Sequence, residues 1–302
     1  MDFSAVIAKA AEVAPHGGVT VPVIETRVLR ADGDGLAYYC AGNDDTSPGE
    51  ARHRLITKLK SAARASGCGL IEILATHRAS HKGHRYAIAR RKPYQGQRKH
   101  GQRPKNWDYL RSLFDEGNVG GIPVIQTMTA EADDLLAQGH NDNDYVLFSQ
   151  DKDLRMVEGT HLEWTTHSSI RVQRGAWEQC LDDKVYGRKW FWLQILMGDA
   201  VDNIPGLPRY RTFKGDGSYT EHQIGEKTAL KYLSLQNGVR GEGDARLTVM
   251  DLYRSFYGDR WLVELMEQAM LLWMRTDADS DPFNVCAPGN PLHAFTKYEP
   301  FA

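Results

Sequence analysis

The chain has 302 residues, 41% hydrophobic and 25% charged, and a formal net charge of −2 at pH 7. That is enough for one large α/β domain, or for a domain of about 200 residues with a smaller companion, without covalent staples. No apolar run approaches the roughly 18 to 20 residues of a membrane span, and the four cysteines (Cys40, Cys68, Cys180, Cys286) lack the spacing of a disulfide framework or a structural zinc site.

In chain order, residues 1–18 carry no basic region followed by an apolar stretch and a cleavage site, so a cytoplasmic location is expected. Short apolar runs at 27–30, 70–74, 122–125 and 145–148 read as buried strands. The intervening segments are long enough for helices. One of them, 52–65, places Leu55, Ile56, Leu59, Ala62 and Ala63 on a single helical stripe. This spacing predicts an α/β fold with a mainly parallel sheet and helices on both faces. From Trp190 onward the pattern turns helical, at 191–197, 226–235 and 247–275 with a break at Gly258, so a domain shift is expected near residue 190. Segments 209–221 and 236–244 are rich in turn residues and read as exposed loops.

Acidic residues follow these strands. Asp32 and Asp34 come after the first, Glu131, Asp133 and Asp134 after the third, and Asp151 and Asp153 after the fourth; Asp199 and Asp202 lie in Gly-Asp-Ala-Val-Asp-Asn-Ile-Pro-Gly at 198–206. In a parallel α/β sheet the ligand site lies beyond the carboxyl ends of the strands. Any one pair alone reads better as solvated turn residues or helix N-terminal acids. Taken together, carboxylates converging on one edge repel one another, and hard divalent cations, magnesium or manganese, are their natural neutraliser. Two such ions can activate a water and stabilise charge on a phosphodiester. Neither GxxxxGK[ST] nor HExxH is present, so nucleotide-driven work and zinc peptidase chemistry lack support.

Between Glu72 and Asp108 there is no acidic residue, whereas Arg85, Arg90, Arg91, Lys92, Arg98, Lys99, Arg103 and Lys105 alternate with Tyr86, Tyr94 and Trp107. That mixture suits phosphate contacts and base stacking, with a solvated charged face as the alternative.

Five motifs then occur in a specific order: Asp32-Gly33-Asp34; Arg85 followed by Tyr94-Gln95-Gly96-Gln97-Arg98; Glu131-Ala132-Asp133-Asp134; Asp151-Lys152-Asp153; and the 198–206 segment. In these the chain resembles the phage and bacterial 5′ nucleases of the flap-endonuclease superfamily over roughly residues 27–235. The resemblance implies a three-layer α/β/α, PIN-like nuclease domain over 1–190 with a basic helical arch or clamp at about 78–107. A helical helix-three-turn-helix DNA-binding region over 191–302 would follow. It implies two Mg²⁺ or Mn²⁺ ions, with Asp32, Glu131 and Asp133 at one and Asp134, Asp151, Asp153, Asp199 and Asp202 nearer the other; Asp34 is not assigned. Arg98 would act in catalysis. Arg85, Arg90, Arg91, Lys92, Tyr94 and Lys99 would hold the 5′ strand, and Gly206, Gly225, Lys227 and Thr228 would grip duplex, with K⁺ at the helix-three-turn-helix.

Two departures from the family pattern stand out. Gln95 occupies the position where a lysine commonly approaches the scissile phosphate, with Lys92 or Lys99 as candidate substitutes, and Thr76, His77 and Ser80 stand where an aspartate is usual after the second strand. The implied activity is a metal-dependent 5′–3′ exonuclease or flap endonuclease of phage replication or recombination, monomeric, with replication proteins such as a separate polymerase as partners and no membrane. A primer-removing ribonuclease H acting on RNA–DNA hybrid, and an inactive structure-specific DNA-binding protein, are the alternatives. A small-molecule α/β enzyme fits the fold class alone and leaves the basic stretch unexplained.

Overall fold

The computed structural model describes residues 21–100, 103–138 and 144–276, except for the side chains of residues 99 and 100. β1 (Ile24–Asp32) runs directly into α1 (Gly33–Cys40), and α2 (Pro48–Ser66) crosses to β2 (Cys68–Thr76). Short turns at Lys82–His84, α3 (Arg85–Ile88) and Gly96–His100 lead to α4 (Trp107–Asp115), β3 (Asn118–Val119) and β4 (Ile122–Thr127). Next come α5 (Ala132–Ala137), β5 (Tyr145–Phe148), a 3₁₀ turn at Lys152–Met156, and strands β6 (Gly159–Leu162) and β7 (Ser169–Val172). A small hairpin of β8 (Gln179–Leu181) and β9 (Lys184–Tyr186) precedes α6 (Arg188–Met197). A second hairpin, β10 (Tyr210–Phe213) and β11 (Tyr219–His222), separates α6 from α7 (Glu226–Tyr232), α8 (Glu242–Tyr257) and α9 (Trp261–Leu272).

The main sheet has seven strands in the order β3-β4-β2-β1-β5-β6-β7. From β4 to β6 all neighbours are parallel, and only the edge strands β3 and β7 run antiparallel. The chain builds outward from β1 through β2 to β4, then returns to lay β5 against the other side of β1. The strand order therefore reverses at β1, and its carboxyl end together with that of β5 marks a crevice for ligands.

Strand alternation fixes the layers. Leu29, Ala31, Ile73, Ala75, Val146 and Phe148 pack with Leu36, Leu55, Leu59 and Phe114 of α1, α2 and α4. On the opposite face Leu74 and Leu147 join Leu136, Trp190, Trp192, Tyr253 and Leu265 of α5, α6, α8 and α9. The result is the expected three-layer α/β/α arrangement. The second cluster crosses residue 190, so the helical region shares its core with the sheet. α2 owes its sharp ends to a Ser47–Glu50 capping box and to Gly67, whose φ of 66° suits glycine.

Three features differ from the sequence expectation. Segment 209–221 is a hairpin, because Tyr-Arg-Thr-Phe and Tyr-Thr-Glu-His flank a Lys-Gly-Asp-Gly turn and strands of four residues carry little periodic signal. β6–β7 and β8–β9 escape notice for the same reason. The basic segment, expected as a helical arch or clamp, has among its described residues only short helical turns, and these lie against the 198–206 loop and α9. Among the described residues, no helix is long and apolar enough to cross a membrane.

A shared core predicts cooperative unfolding. Leu147→Ala should cost about 2–5 kcal/mol and shift circular dichroism and tryptophan fluorescence together in a denaturant titration. Two separated transitions would show instead that the helical region folds independently.

Candidate active site

The acids gather because strand ends deliver them to the crevice. Asp32 ends β1 and caps α1: its Oδ1 accepts the Gly35 N–H at 3.0 Å, and its Oδ2 accepts the Ser149 hydroxyl at 2.9 Å from the end of β5. Ser149 Oγ in turn accepts the Asp151 N–H at 2.9 Å, and Asp151 Oδ1 accepts the Asp153 N–H at 2.8 Å. One hydrogen-bonded path thus links the acids of two adjacent strands. Glu131 caps α5. Asp133, in the first turn, has a buried Oδ1 without a hydrogen-bond partner in the protein.

A second group is formed by Asp153, Asp199 and Asp202, each of which offers an oxygen within 4.8 Å of the others. Lys152 Nζ lies 3.0 Å from Asp153 and 2.8 Å from Asp199. The loop that carries Asp199 and Asp202 is closed by two backbone hydrogen bonds between Asp199 and Ile204, at 2.8 and 2.7 Å. Gly198 and Gly206, with φ of 74° and 63°, meet so closely that a Cβ on either would collide with backbone of the other arm. Only glycine fits both positions.

Burial and mutual repulsion dominate the electrostatics. Burial, with help from Asp34 and Asp151, pushes the Asp32 carboxyl up to about 7. Burial followed by the nearby Asp151 raises both Asp133 and Asp153 well above the carboxylate range. Asp151 is raised chiefly by burial, and Glu131 is raised by burial despite Arg85 and Lys82. The residues fit hard divalent cations: every donor is oxygen, Asp133 Oδ1 is buried and unpartnered, and three aspartates converge within 4.8 Å.

Asp134 departs from its expected place among the ligands. It is fully buried, and Arg85 grips it through two bonds of 2.7 and 2.8 Å while the backbone N–H groups of Glu131 and Arg275 complete its shell. Burial alone would raise its pKa, but the Arg85 charge and hydrogen bonds outweigh that and lower it. Arg85, only 1% exposed, is accordingly a core cation and not a surface contact for DNA. Glu131 leans toward the second group, since Tyr94 Oη bonds both Glu131 (2.8 Å) and Asp202 (2.9 Å), and Gln95 Nε2 bonds the same pair. Tyr94 is therefore a buried brace, expected at the sequence level as a strand contact.

Arg98 is half exposed and lies 2.6 Å from Asp202. Arg90 and Lys92 are exposed, whereas Arg91 is tied to Glu264 and to the carbonyl of Gly206. Gly206 is itself buried, so it does not face duplex; Gly225 and Lys227 are exposed and Thr228 half-buried at the start of α7. The Lys99 side chain lies outside the described residues. Beyond the second strand, where the resemblance leads one to expect an acid, Thr76 Oγ1 accepts the Ala132 N–H at 2.8 Å, and Ser80 Oγ donates to Ala130 O at 2.6 Å. Sequence reasoning missed Lys82, Ser149 and Lys152 as site residues. Lys152 was visible in the Asp-Lys-Asp motif, while Lys82 and Ser149 carry no local signal.

Removing a partner from a buried ion pair leaves an uncompensated charge. Arg85→Ala should therefore cost about 3–5 kcal/mol in denaturant titration, while Asp199→Ala, which relieves repulsion, should not destabilise. Equal losses would give Asp199 the same structural role as the Arg85–Asp134 pair. Asp32 holds its proton more tightly folded (about 7) than at its ordinary 3.8, so its contribution to stability is complete below 3.8 and lost as pH rises through 7. In chelator the melting temperature should fall over that interval, and Mg²⁺ or Mn²⁺ should remove the fall; a flat profile in chelator would contradict the crowding.

No family model matches the sequence, and no curated protein does so either. Among solved structures, the T5 D15 protein co-crystallised with metal ions is 19% identical with a TM-score of 0.58, the match covering 90% of this chain and 97% of that one. A complex of the bacteriophage T5 D15 flap endonuclease with DNA and metal ions matches with a TM-score of 0.53 at the same identity and coverage. With the sheet order and layers described above, these matches show that the chain shares the fold of the T5 D15 flap endonuclease.

Proposed function

We propose that the chain is a divalent-metal-dependent 5′ nuclease that hydrolyses DNA phosphodiesters at or near 5′ ends. The observation that carries this reading is the join between the carboxylate cluster and the basic segment: Tyr94, Gln95 and Arg98 bond directly to Glu131 and Asp202. A carboxylate cluster alone would repel nucleic acid. Here a cationic segment lies at its edge, with Arg90, Lys92 and Arg98 exposed to receive phosphates.

Asp32, Glu131, Asp133, Asp151, Asp153, Asp199 and Asp202 would hold two Mg²⁺ or Mn²⁺ ions. Such ions, when bound, supply an activated water and stabilise the charge on the phosphodiester in transit. The protein's own part is positioning. Tyr94 and Gln95 fix the Glu131 and Asp202 carboxylates, Ser149 fixes Asp32 and Asp151, and Arg98 offers a guanidinium to the phosphate. We read α6, the 198–206 loop and α7 as the duplex grip of a helix-three-turn-helix, with Gly225, Lys227, Thr228 and a potassium ion against the backbone. The described T5 neighbour bound to DNA and metal ions supports this substrate class, and suggests a phage setting with replication proteins as partners.

The test is cleavage of a 5′-labelled duplex bearing a 5′ flap, with Mg²⁺ or chelator, beside a 3′-overhang control and an RNA–DNA hybrid. Metal-dependent release of short 5′ products is expected. Preference for the hybrid would move the reading to ribonuclease H, and tight binding without cleavage to an inactive clamp. Asp151→Ala and Asp199→Ala should reduce cleavage to background while leaving the fold intact, and normal cleavage by either would remove it from the site. Arg98→Ala should slow turnover by about 10²-fold with little change in melting temperature.

A further inference from the structure

Lys82, Gly83 and His84 are consecutive residues with positive φ, at 50°, 63° and 61°. Side chains rarely adopt this conformation, and it persists where surroundings over-determine it. Here His81 and Gly83 donate their N–H groups to Met128 O (3.1 Å) and Thr129 O (3.0 Å), on the segment between β4 and Glu131. Ser80 Oγ accepts the Lys82 N–H at 3.1 Å and donates to Ala130 O. The Arg275 guanidinium lies directly over Gly83 and donates to its carbonyl. The base of Lys82 is thus clamped to the strand end that supplies Glu131.

From that clamp Lys82 reaches the carboxylates. Its Nζ donates to Gln95 Oε1 at 2.6 Å and lies 3.4 Å from Glu131 Oε1. Gln95, also at positive φ (54°), is held by its own N–H bond to Asp202 O at 2.9 Å. Glu131 has other partners: Tyr94 Oη at 2.8 Å and the buried Arg85 Nη1 at 3.2 Å. An ammonium has three donors. Gln95 and Glu131 engage two, leaving one on a side chain that is 23% exposed. Neighbouring cations are committed otherwise, Arg85 inside the core to Asp134 and Lys152 between Asp153 and Asp199.

We propose that Lys82, carried on this clamped turn and oriented by Gln95, is a catalytic cation that binds a non-bridging oxygen of the phosphodiester being cut. The inference rests on the nuclease reading above. Lys82 acts by charge and hydrogen bonding, keeping its proton throughout, and a fixed donor in a partly water-excluded site strengthens as negative charge builds on the phosphate.

The experiment compares wild type, Lys82→Ala, Lys82→Ala with Gln95→Lys, and Asp199→Ala in single-turnover cleavage of the flap duplex at saturating Mg²⁺. DNA affinity in Ca²⁺ and Mn²⁺ affinity without DNA are measured alongside. Lys82→Ala should cleave about 100-fold more slowly, with DNA affinity within about threefold and Mn²⁺ binding no weaker, and Gln95→Lys should restore about tenfold or more. Cleavage by Lys82→Ala within about threefold of wild type, with Asp199→Ala inactive, would overturn the role while leaving the nuclease intact. A slow Lys82→Ala whose Mn²⁺ affinity falls in step, and whose rate extra metal restores, would reduce Lys82 to a support for Glu131. A wild type that does not cleave overturns both readings.

Discussion

Like-charge repulsion at one edge of the sheet is the constraint on which the rest of this structure depends. Asp32, Glu131, Asp133, Asp151, Asp153, Asp199 and Asp202 are brought together at the carboxyl ends of parallel strands, largely buried, where their mutual repulsion is least screened. The fold answers with cations placed one by one. Arg85 takes Asp134 out of the group altogether, Lys152 stands between Asp153 and Asp199, Arg98 meets Asp202, and Arg111 meets Asp34. What these cations leave uncompensated is the demand for divalent ions, so the site's residual strain and its proposed chemistry have one origin.

The same constraint accounts for the position of the basic segment. Its backbone and side chains are bound on two sides: Glu267 on α9 accepts the N–H groups of Arg90 and Arg91, and the 198–206 loop accepts Gln97 and Arg98. Gln268, on the same helix, accepts the Gly206 N–H. One polar row on α9 therefore sets both flanks of the crevice, which is why the helical region cannot be treated as an appendage. Its apolar side supplies half the core while its acids and amide position the active edge.

The strands and the acids beyond them were legible in the sequence because each strand is a short apolar run with an acid at its end or a few residues after it. The grouping of those acids was not, since it depends on which strands are neighbours: β5 lies beside β1, which no local pattern states. Adjacent Asp133 and Asp134 look interchangeable in sequence, yet α5 turns one into the crevice and the other into Arg85. Tyr94 and Arg85 were read as strand-binding residues because aromatic and basic residues in a charged run usually face solvent; their burial is tertiary. Lys82 was invisible for a related reason, as its backbone conformation is imposed by the β4–α5 segment and by Arg275, both remote in sequence.

Gly198 and Gly206 meet backbone to backbone, which makes the residues between them a ring of fixed circumference. One added residue would part the two glycines and carry Asp199 away from Asp153. The β10–β11 hairpin lies wholly outside the ring, after Leu207. The glycine pair thus divides this part of the chain into a stretch where insertions can accumulate over evolutionary time and one where they cannot, so homologous chains can differ widely in the size of the hairpin while keeping the spacing between Asp199 and Asp202 unchanged.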